Sequence, residues 1–288
     1  MPRRRQSHNF SRNLMTQQHF DHLEFIINTS TEVSNHLYGK ELSLTQTFCL
    51  GIIERLCHST RTLKTLFEKI EKEPSHEYSI GIIVRALLLD TLTGMNLFKI
   101  HCDSEANKDT EEVNDEKSSL FCEINLSDGL SKTLSYLSDA KKYGFIDEEQ
   151  LKEAYKNIVA SKSYFFEPYL NDGTIPVLKH KKYFSPQELF KILASDANMK
   201  RTASIYDAYL YFSKYDHFGI MYYENIRMDR DEKQRIYLEA FEGLVAHLTF
   251  LIVILNKTFK TDKLLTTKAT QANDYFAKMI GISAQNCR

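Results

Sequence analysis

The chain has 288 residues, which is long enough for one large domain or two small ones with a sizeable buried core. Hydrophobic residues make up 42% of it, and its 10 glycines and 5 prolines are too few for a turn-rich β fold. The formal net charge of −1 gives no overall attraction to nucleic acid or to an anionic membrane. We therefore expect a globular protein that is rich in helix.

The first third of the chain predicts a basic arm followed by three helices. Residues 1–15 are basic and predict a flexible arm, and residues 17–37 carry apolar side chains at helical spacing. Ser43, with Gln46 three residues later, forms the capping-box pattern that opens a second helix. The third helix, residues 76–101, is apolar on nearly every face, which predicts a central and buried position.

The middle of the chain predicts a loop, two more helices and an irregular segment. Residues 103–119 are strongly acidic and contain no aromatic side chain, so we expect a mobile surface loop. Leucines at helical spacing then mark a fourth helix that ends near Gly144. Asp147 with Gln150 caps a fifth helix. Residues 163–184 follow no regular period, and we expect their aromatic side chains to hold the segment against the bundle.

The last third predicts the remaining helices and a C-terminal tail. Ser185 precedes a proline, which is a strong signal for the start of a sixth helix. Helices over residues 205–217 and 235–259 follow, and the tail of residues 261–288 has the pattern of one short amphipathic helix. The sequence thus predicts a single all-α domain over residues 16–260, a bundle of seven or eight helices around a long central apolar helix.

Cysteine usage and hydropathy indicate the compartment. The five cysteines show no CxxC pair and no metal-ligand spacing, which indicates free thiols in a reducing environment. The basic start lacks the apolar region of a secretory signal. The most apolar run, residues 244–255, is shorter than the roughly 20 residues of a membrane span and predicts a core helix. We expect a soluble, cytoplasmic protein with no bound metal, no cofactor and no membrane association.

One aromatic-rich segment contains the side chains that suggest chemistry. Tyr209, Ser213 and His217 recur every fourth residue, so a helix would place them on one face, and Asp216 adds a carboxylate nearby. A serine nucleophile requires a base within hydrogen-bonding reach and a third group that orients the base. The chain has no Gly-x-Ser-x-Gly turn and no oxyanion loop, so we do not predict a serine hydrolase.

The central apolar helix contains one arginine, Arg85, for which burial is costly unless it is paired or hydrogen-bonded. Asp90 lies five residues later and points about 140° away, so it is a poor partner within the same helix. The partner of Arg85 therefore comes from another helix, and the face of Tyr209 to His217 is the natural candidate. Two roles remain open for Arg85, a cross-link between helices and a ligand-binding or catalytic group.

These two helices resemble a known family. The helix with Arg85 and Asp90, followed much later by a Tyr-x3-Ser-x3-His helix, is similar to a broad group of bacterial all-helical proteins of unknown function, over about residues 20–260. Here the acid is the fifth residue after the arginine rather than the fourth, and Phe218 stands where a proline often follows the histidine. That group in turn resembles the HEPN class of helical bundles. Several HEPN proteins are metal-independent ribonucleases in toxin and phage-defence systems.

The resemblance implies specific roles for a few residues. HEPN ribonucleases use an Arg-x(4–6)-His motif, and its spacing occurs here in residues 3–8 and 12–19, in or beside the basic arm. It also implies a composite site in which Arg85 contacts phosphate and His217 acts as a general base.

Two short basic patches are candidates for nucleic-acid binding. Their residues are Arg3, Arg4 and Arg5 in the arm, and Lys179, Lys181 and Lys182 beside two aromatic residues. Cations contact phosphates, and cations interleaved with aromatic rings suit single-stranded nucleic acid. Short basic stretches are also commonly just solvated.

Histidines elsewhere in the sequence are weaker candidates. His19 and His22, with Asp21 between them, could ligate a metal, but the pattern is more typical of an exposed helix start. His247 is alone in an apolar helix and is more typical of a hydrogen-bonded core histidine.

The sequence supports three hypotheses about function. The first is a non-catalytic or regulatory helical interaction module in bacterial defence or stress response. The second is a HEPN-like, metal-independent ribonuclease or RNA-binding protein that uses Arg85 and His217, with Tyr209 and Ser213 as further candidate catalytic residues. The third is a small-ligand pocket under the aromatic segment of residues 164–184. The expected partners are RNA or another protein, and the sequence also allows a homodimer.

Overall fold

A computed structural model of the chain describes residues 15–281 except for residues 71, 74, 170–173, 182, 198, 200–204 and 217–227. Within those residues the protein is all-α, as predicted, with nine α-helices. The helices are α1 (Gln17–Leu37), α2 (Leu44–Lys69), α3 (His76–Asn107), α4 (Glu111–Lys142), α5 (Glu148–Ser161), α6 (Pro186–Ala194), α7 (Ile205–Ser213), α8 (Arg230–Phe259) and α9 (Lys263–Met279). Single 3-10 turns at Ser163–Phe165 and Lys214–Asp216 supplement them. The irregular segment adds one isolated antiparallel bridge, between Phe166 and Leu178.

The capping signals predicted the starts of three helices correctly. The side chains of Ser43, Asp147 and Ser185 each accept a hydrogen bond from a backbone N–H three residues later, at 3.3, 2.8 and 3.2 Å. In each case the glutamine or glutamate at that third position bonds back to the backbone of the capping residue. These reciprocal bonds satisfy amide groups that a helix start otherwise leaves unpaired, so short local sequence is enough to specify them.

The predicted mobile loop over residues 103–119 is wrong, because nearly all of that stretch is helix. The central helix continues to Asn107, Lys108 adopts a left-handed conformation, and α4 begins at Glu111 with Thr110 as its cap. Lysines compensate the acidic side chains: Lys117 pairs with Asp109 at 2.5 Å, and lysines of α8 and its end pair with Glu105 and Glu111. The loop was predicted from the local excess of negative charge. The lysines that pair with Glu105 and Glu111 lie more than a hundred residues away in the sequence, so local composition does not reveal them.

The predicted tail is a full helix of the bundle. The 17-residue helix α9 begins where Asp262 accepts bonds from the backbone N–H groups of Leu264 and Leu265. Leu265, Ala269 and Ala272 are buried in the main core, where α9 packs against α8 and α1. The domain therefore extends beyond residue 260 and includes α9.

Helices α3 and α8 form the centre of the main core, which confirms the predicted central position of the third helix. Helix α3 contacts α2, α4, α6, α7 and α8, and α8 also contacts α1 and α9. A second, smaller core joins the end of α4, α5 and the irregular segment. Phe165 and Phe166 are buried there against Leu134, Leu151 and Tyr155, so the aromatic segment is held in the way the sequence predicted.

Two helices, α3 and α8, are long and apolar enough to cross a membrane by length and composition alone. In each of them 72% of the most apolar stretch is buried inside the bundle. The run at residues 244–255 is part of α8, and its leucines at both ends are completely buried. It is the core helix that the sequence predicted.

Candidate functional site

The central helix α3 has two parts with different surroundings. We call residues 76–94 the packed segment and residues 95–107 the cavity segment. In the packed segment, neighbouring elements approach the backbone so closely that two glycines are required. A β-carbon at Gly81 would lie 2.5 Å from the ring of Tyr215, and one at Gly94 would lie 2.1 Å from Nε2 of His247. No side chain larger than hydrogen fits at either position without displacing an aromatic ring.

Arg85 lies in the packed segment, and its predicted neighbour Tyr209, on α7, contacts it. The guanidinium of Arg85 lies over the ring of Tyr209, 5.7 Å from its centroid, and so joins α3 to α7. Tyr209 is 7% exposed and belongs to a stack of rings that continues through Tyr206 to Phe190. A cation over an aromatic face is attracted by the ring quadrupole, so this contact favours the half-buried position of Arg85.

Of the predicted hydroxyl–imidazole pair, Ser213 and His217, the structure describes only Ser213. The hydroxyl of Ser213 donates to the backbone carbonyl of Leu210 at 2.7 Å, within its own helix. Helix α7 ends at Ser213 and a 3-10 turn follows, so the four-residue period of the prediction does not continue. His217 lies outside the described residues. Ser213 therefore acts as a local helix-end residue.

The sequence did not predict a cluster of buried polar side chains at the start of α3. Nζ of Lys233 on α8 pairs with Glu77 at 2.7 Å, and the hydroxyl of Tyr215 donates to the same carboxylate oxygen at 3.1 Å. The side chains of Lys233 and Glu77 are 8% and 12% exposed, and burial raises the pKa of the Tyr215 and Tyr237 hydroxyls. The partners lie more than a hundred residues apart, and no local spacing links them.

Two further polar contacts hold α3 to α2 and α8. As the sequence indicated, Asp90 faces away from Arg85, and its carboxylate accepts from Nε of Arg55 on α2 at 2.5 Å. Nδ1 of His247 lies 3.2 Å from the hydroxyl of Thr91. His247 has no exposed surface, and burial, together with the charge of Arg55, lowers the pKa of its imidazole to about 3. Both contacts connect helices: the pair of Thr91 and His247 is completely buried, whereas Asp90 is bonded to an arginine whose side chain is exposed.

The histidines at the start of α1 are buried, so the expected exposed helix start is wrong. Nδ1 of His19 bonds to the hydroxyl of Thr16 at 2.7 Å, and Nε2 lies 2.9 Å from the carbonyl of Gln234 on α8. Nδ1 of His22 lies 2.9 Å from the hydroxyl of Tyr275 on α9. The two imidazoles therefore bond to different helices. Across the described part of the chain, no group of three His, Cys, Asp or Glu side chains is arranged to hold a metal ion.

The basic patch after the irregular segment lies beside acidic residues. Nζ of Lys179 sits 4.9 Å from the ring centroid of Tyr164, and His180 contacts Glu123 at 3.2 Å. Glu123 is almost completely buried and, with two further carboxylates of α4, lines the shallow depression that contains Tyr164. Lys181 is exposed. Lys182 and the arm with Arg3, Arg4 and Arg5 lie outside the described residues. An RNA phosphate at Lys179 would thus face several nearby negative charges, which opposes its binding.

The cavity segment of α3 borders an apolar cavity of about 770 Å³. Phe98 stacks on Phe250 of α8 with ring centroids 4.3 Å apart, and Phe276 of α9 meets Phe250 edge-on at 5.9 Å. Along the same face of α8 as Phe250, the small residues Gly243 and Ala246 also line the cavity. Small-molecule sites in proteins have volumes of about 300–1,000 Å³ and mostly apolar walls. The cavity matches this description.

The remaining walls come from α7, α9 and the segment after α6. Ala208 of α7, Met279 of α9 and Met199 contribute apolar surface, and Cys102 places its half-buried thiol on the wall. Burial raises the pKa of the Cys102 thiol, so the thiol is protonated at neutral pH. The cavity lies on different helices from the aromatic segment of residues 164–184, so the ligand pocket expected under that segment stays a separate prediction.

Comparisons of this chain with protein-family models, with curated proteins and with solved structures find no match. The class of protein is therefore defined by the fold alone, an all-α bundle around two apolar helices with a cavity at one end. The resemblance to bacterial HEPN-like proteins stays a prediction.

Proposed function

We propose that this protein is a non-catalytic binding module whose ligand site is the cavity between α3, α7, α8 and α9. The observation that supports this proposal is the position of the polar side chains relative to the cavity. The polar groups of the packed segment bond to neighbouring helices, whereas the one large apolar cavity described above lies at the other end of α3.

A catalytic role needs a nucleophile, acid or base that reaches a substrate. Asp90 and His247 are buried and bonded to other helices, and Ser213 bonds to its own helix. The Cys102 thiol borders the cavity, but its raised pKa disfavours the thiolate that a cysteine nucleophile needs. The cavity therefore has the walls of a binding site, and its thiol is not an activated nucleophile.

A dye-binding experiment with two matched variants tests this proposal. Ala106 and Ala86 are both exposed alanines of α3, but only Ala106 lines the cavity. We expect the apolar dye Nile red to bind wild-type protein and the Ala86→Trp control with one affinity, and the Ala106→Trp variant about tenfold more weakly, because the indole occupies the cavity mouth. Equal binding to all three proteins, or none to the wild type, would overturn the proposal.

The alternative is a HEPN-like ribonuclease that uses Arg85 and His217. It draws support from Arg85, whose side chain is only half-buried beside the helix that leads to His217. Purified protein incubated with labelled RNA separates the two proposals. The binding module leaves the RNA intact. Metal-independent cleavage that is lost in both Arg85→Ala and His217→Ala would establish the ribonuclease instead.

A further inference from the structure

The charges around the cavity restrict what it can bind. Four carboxylates stand at its edge, those of Asp103, Asp196, Glu239 and Glu242. Among the described residues that line it there is no lysine, arginine or histidine. Of the residues that the structure describes, it is the acidic ones that supply the charged groups at the cavity.

Two cations of the described part of the chain, Lys99 and Arg235, are engaged with carboxylates at this edge. Nζ of Lys99 lies 2.7 Å from Asp103 and 3.0 Å from Asp196, and it is 15% exposed. Arg235 pairs with Glu239 one turn further along α8, at 2.5 Å. A bound anion would have to compete with these carboxylates for the same cations, and it would lie among negative charges in a partly desolvated site.

The walls of the cavity provide the attraction for an apolar group. The stacked rings of Phe98 and Phe250 present flat apolar surface, and Met95, Met199 and Met279 have flexible side chains that adapt to the shape of a ligand. Aromatic rings also attract cations through their faces. The apolar part of a ligand is therefore bound by the walls, and the sign of its charge is selected at the edge.

We infer that the cavity takes an uncharged or cationic apolar ligand, such as an arylalkyl alcohol or amine, and discriminates against anionic amphiphiles such as fatty acids. This inference rests on the proposed function and adds the chemical class of the ligand. The carboxylates at the edge of the cavity discriminate between ligands by charge, and this discrimination requires no catalytic residue.

Three probes with one apolar body and different end groups test the inference. 4-Phenylbutylamine, 4-phenylbutan-1-ol and 4-phenylbutyrate are titrated against Nile red bound to the wild-type protein at neutral pH. We expect the amine and the alcohol to displace the dye at concentrations about tenfold lower than the carboxylate, since tenfold corresponds to about 1.4 kcal/mol. A carboxylate that binds as tightly as the alcohol would overturn the inference.

The outcome is distinguishable from failure of the proposed function. If Nile red binds the wild type about tenfold more tightly than Ala106→Trp, the cavity is a binding site, and the order of the three probes then decides the ligand class alone. If the dye does not bind at the cavity, the proposed function fails before the probes are compared.

A charge introduced at the rim provides an independent gain-of-binding test. Ala106→Lys places a cation at the cavity, and Ala86→Lys places the same charge on α3 away from it. We expect Ala106→Lys to bind 4-phenylbutyrate about tenfold more tightly than the wild type does, and Ala86→Lys to be unchanged. If both variants bind the carboxylate as the wild type does, charge at the rim does not select the ligand, and the inference fails.

Discussion

The packed and cavity segments of α3 both face α8, but the packed segment contacts α8 closely, whereas the cavity segment and α8 border open space. In the packed segment, Gly94 allows the ring of His247 to touch the α3 backbone. In the cavity segment, Gly243 of α8 faces only the end of the Ile205 side chain, 3.2 Å from where a β-carbon would lie, beside about 770 Å³ of open space. The structural role of a glycine therefore depends on what lies next to it. At one end of this helix pair it permits close contact, and at the other it leaves room for a ligand.

The largest expected effect comes from filling the closest contact. In Gly94→Ala the new methyl group overlaps the buried imidazole of His247, which cannot move away without displacing the core. We expect a loss of about 3 kcal/mol in the free energy of unfolding, measured by urea denaturation.

The control for this variant is Gly51→Ala, at an exposed helix position where a β-carbon meets nothing within 4 Å. It should gain about 0.5–1 kcal/mol, because alanine restricts the unfolded chain. A Gly94→Ala protein as stable as Gly51→Ala would show that His247 does not pack on α3 as described.

Acid should weaken the packed segment through His247. Burial lowers the pKa of His247 from 6.5 in the unfolded chain to about 3, so the unfolded state binds a proton that the folded state refuses. The contribution of this histidine is complete above pH 6.5 and is lost progressively as the pH falls from there toward 3. At pH 5 the loss is about 2 kcal/mol for this one residue.

Chemical denaturation at several pH values checks this expectation. In His247→Gln the dependence of unfolding free energy on pH between 4 and 6 should be shallower by about 1.4 kcal/mol per pH unit. The matched variant His58→Gln, at an exposed position on α2, should keep the wild-type slope. An unchanged slope in His247→Gln would contradict the burial of a neutral imidazole.

The contact of Arg85 with Tyr209 should contribute less to stability, because the residue as a whole is only half-buried. We expect Arg85→Ala to lower the unfolding free energy by about 1–2 kcal/mol through lost cation–π attraction and lost packing of the side-chain stem. A double-mutant cycle with Tyr209→Leu should give a coupling energy of about 1 kcal/mol. A coupling energy near zero would mean that the two side chains do not interact in solution.

The smallest effect is expected at the cavity. In Gly243→Ala the new β-carbon would lie 3.2 Å from Cγ1 and Cδ1 of Ile205, a side chain that itself borders the open cavity. The free energy of unfolding should change by no more than about 0.5 kcal/mol. A loss comparable to that of Gly94→Ala would remove the distinction between the two segments of α3.

The sequence predicted the fold well where the determinants are local. The capping residues Ser43, Asp147 and Ser185 mark true helix starts, because a cap is formed by residues three positions apart. The predicted loop at residues 103–119 failed because its acidic residues pair with Lys257 and Lys260, which belong to a distant helix. Local composition cannot supply such partners.

The candidate site was predictable only in part, for the same physical reason. A lone arginine in an apolar helix correctly indicated a partner on another helix, and Arg85 does contact Tyr209. The pair of Glu77 with Lys233 gave no comparable signal. The cavity could not be predicted either, because it is a space between four helices. In the sequence, small residues such as Gly243 and Ala246 resemble ordinary helix-packing positions.

The most direct test of the central claim uses the thiol on the cavity wall. Cys102 is half-buried and borders the cavity, while Cys49 and Cys122 are completely buried and serve as unreactive references. The rate of alkylation of Cys102 by N-ethylmaleimide is measured by peptide mass spectrometry with and without 4-phenylbutan-1-ol. A binding cavity predicts alkylation that slows about tenfold when the alcohol is present at about ten times its Kd. A rate that the alcohol does not change, or a Cys102 as unreactive as Cys49, would contradict the account.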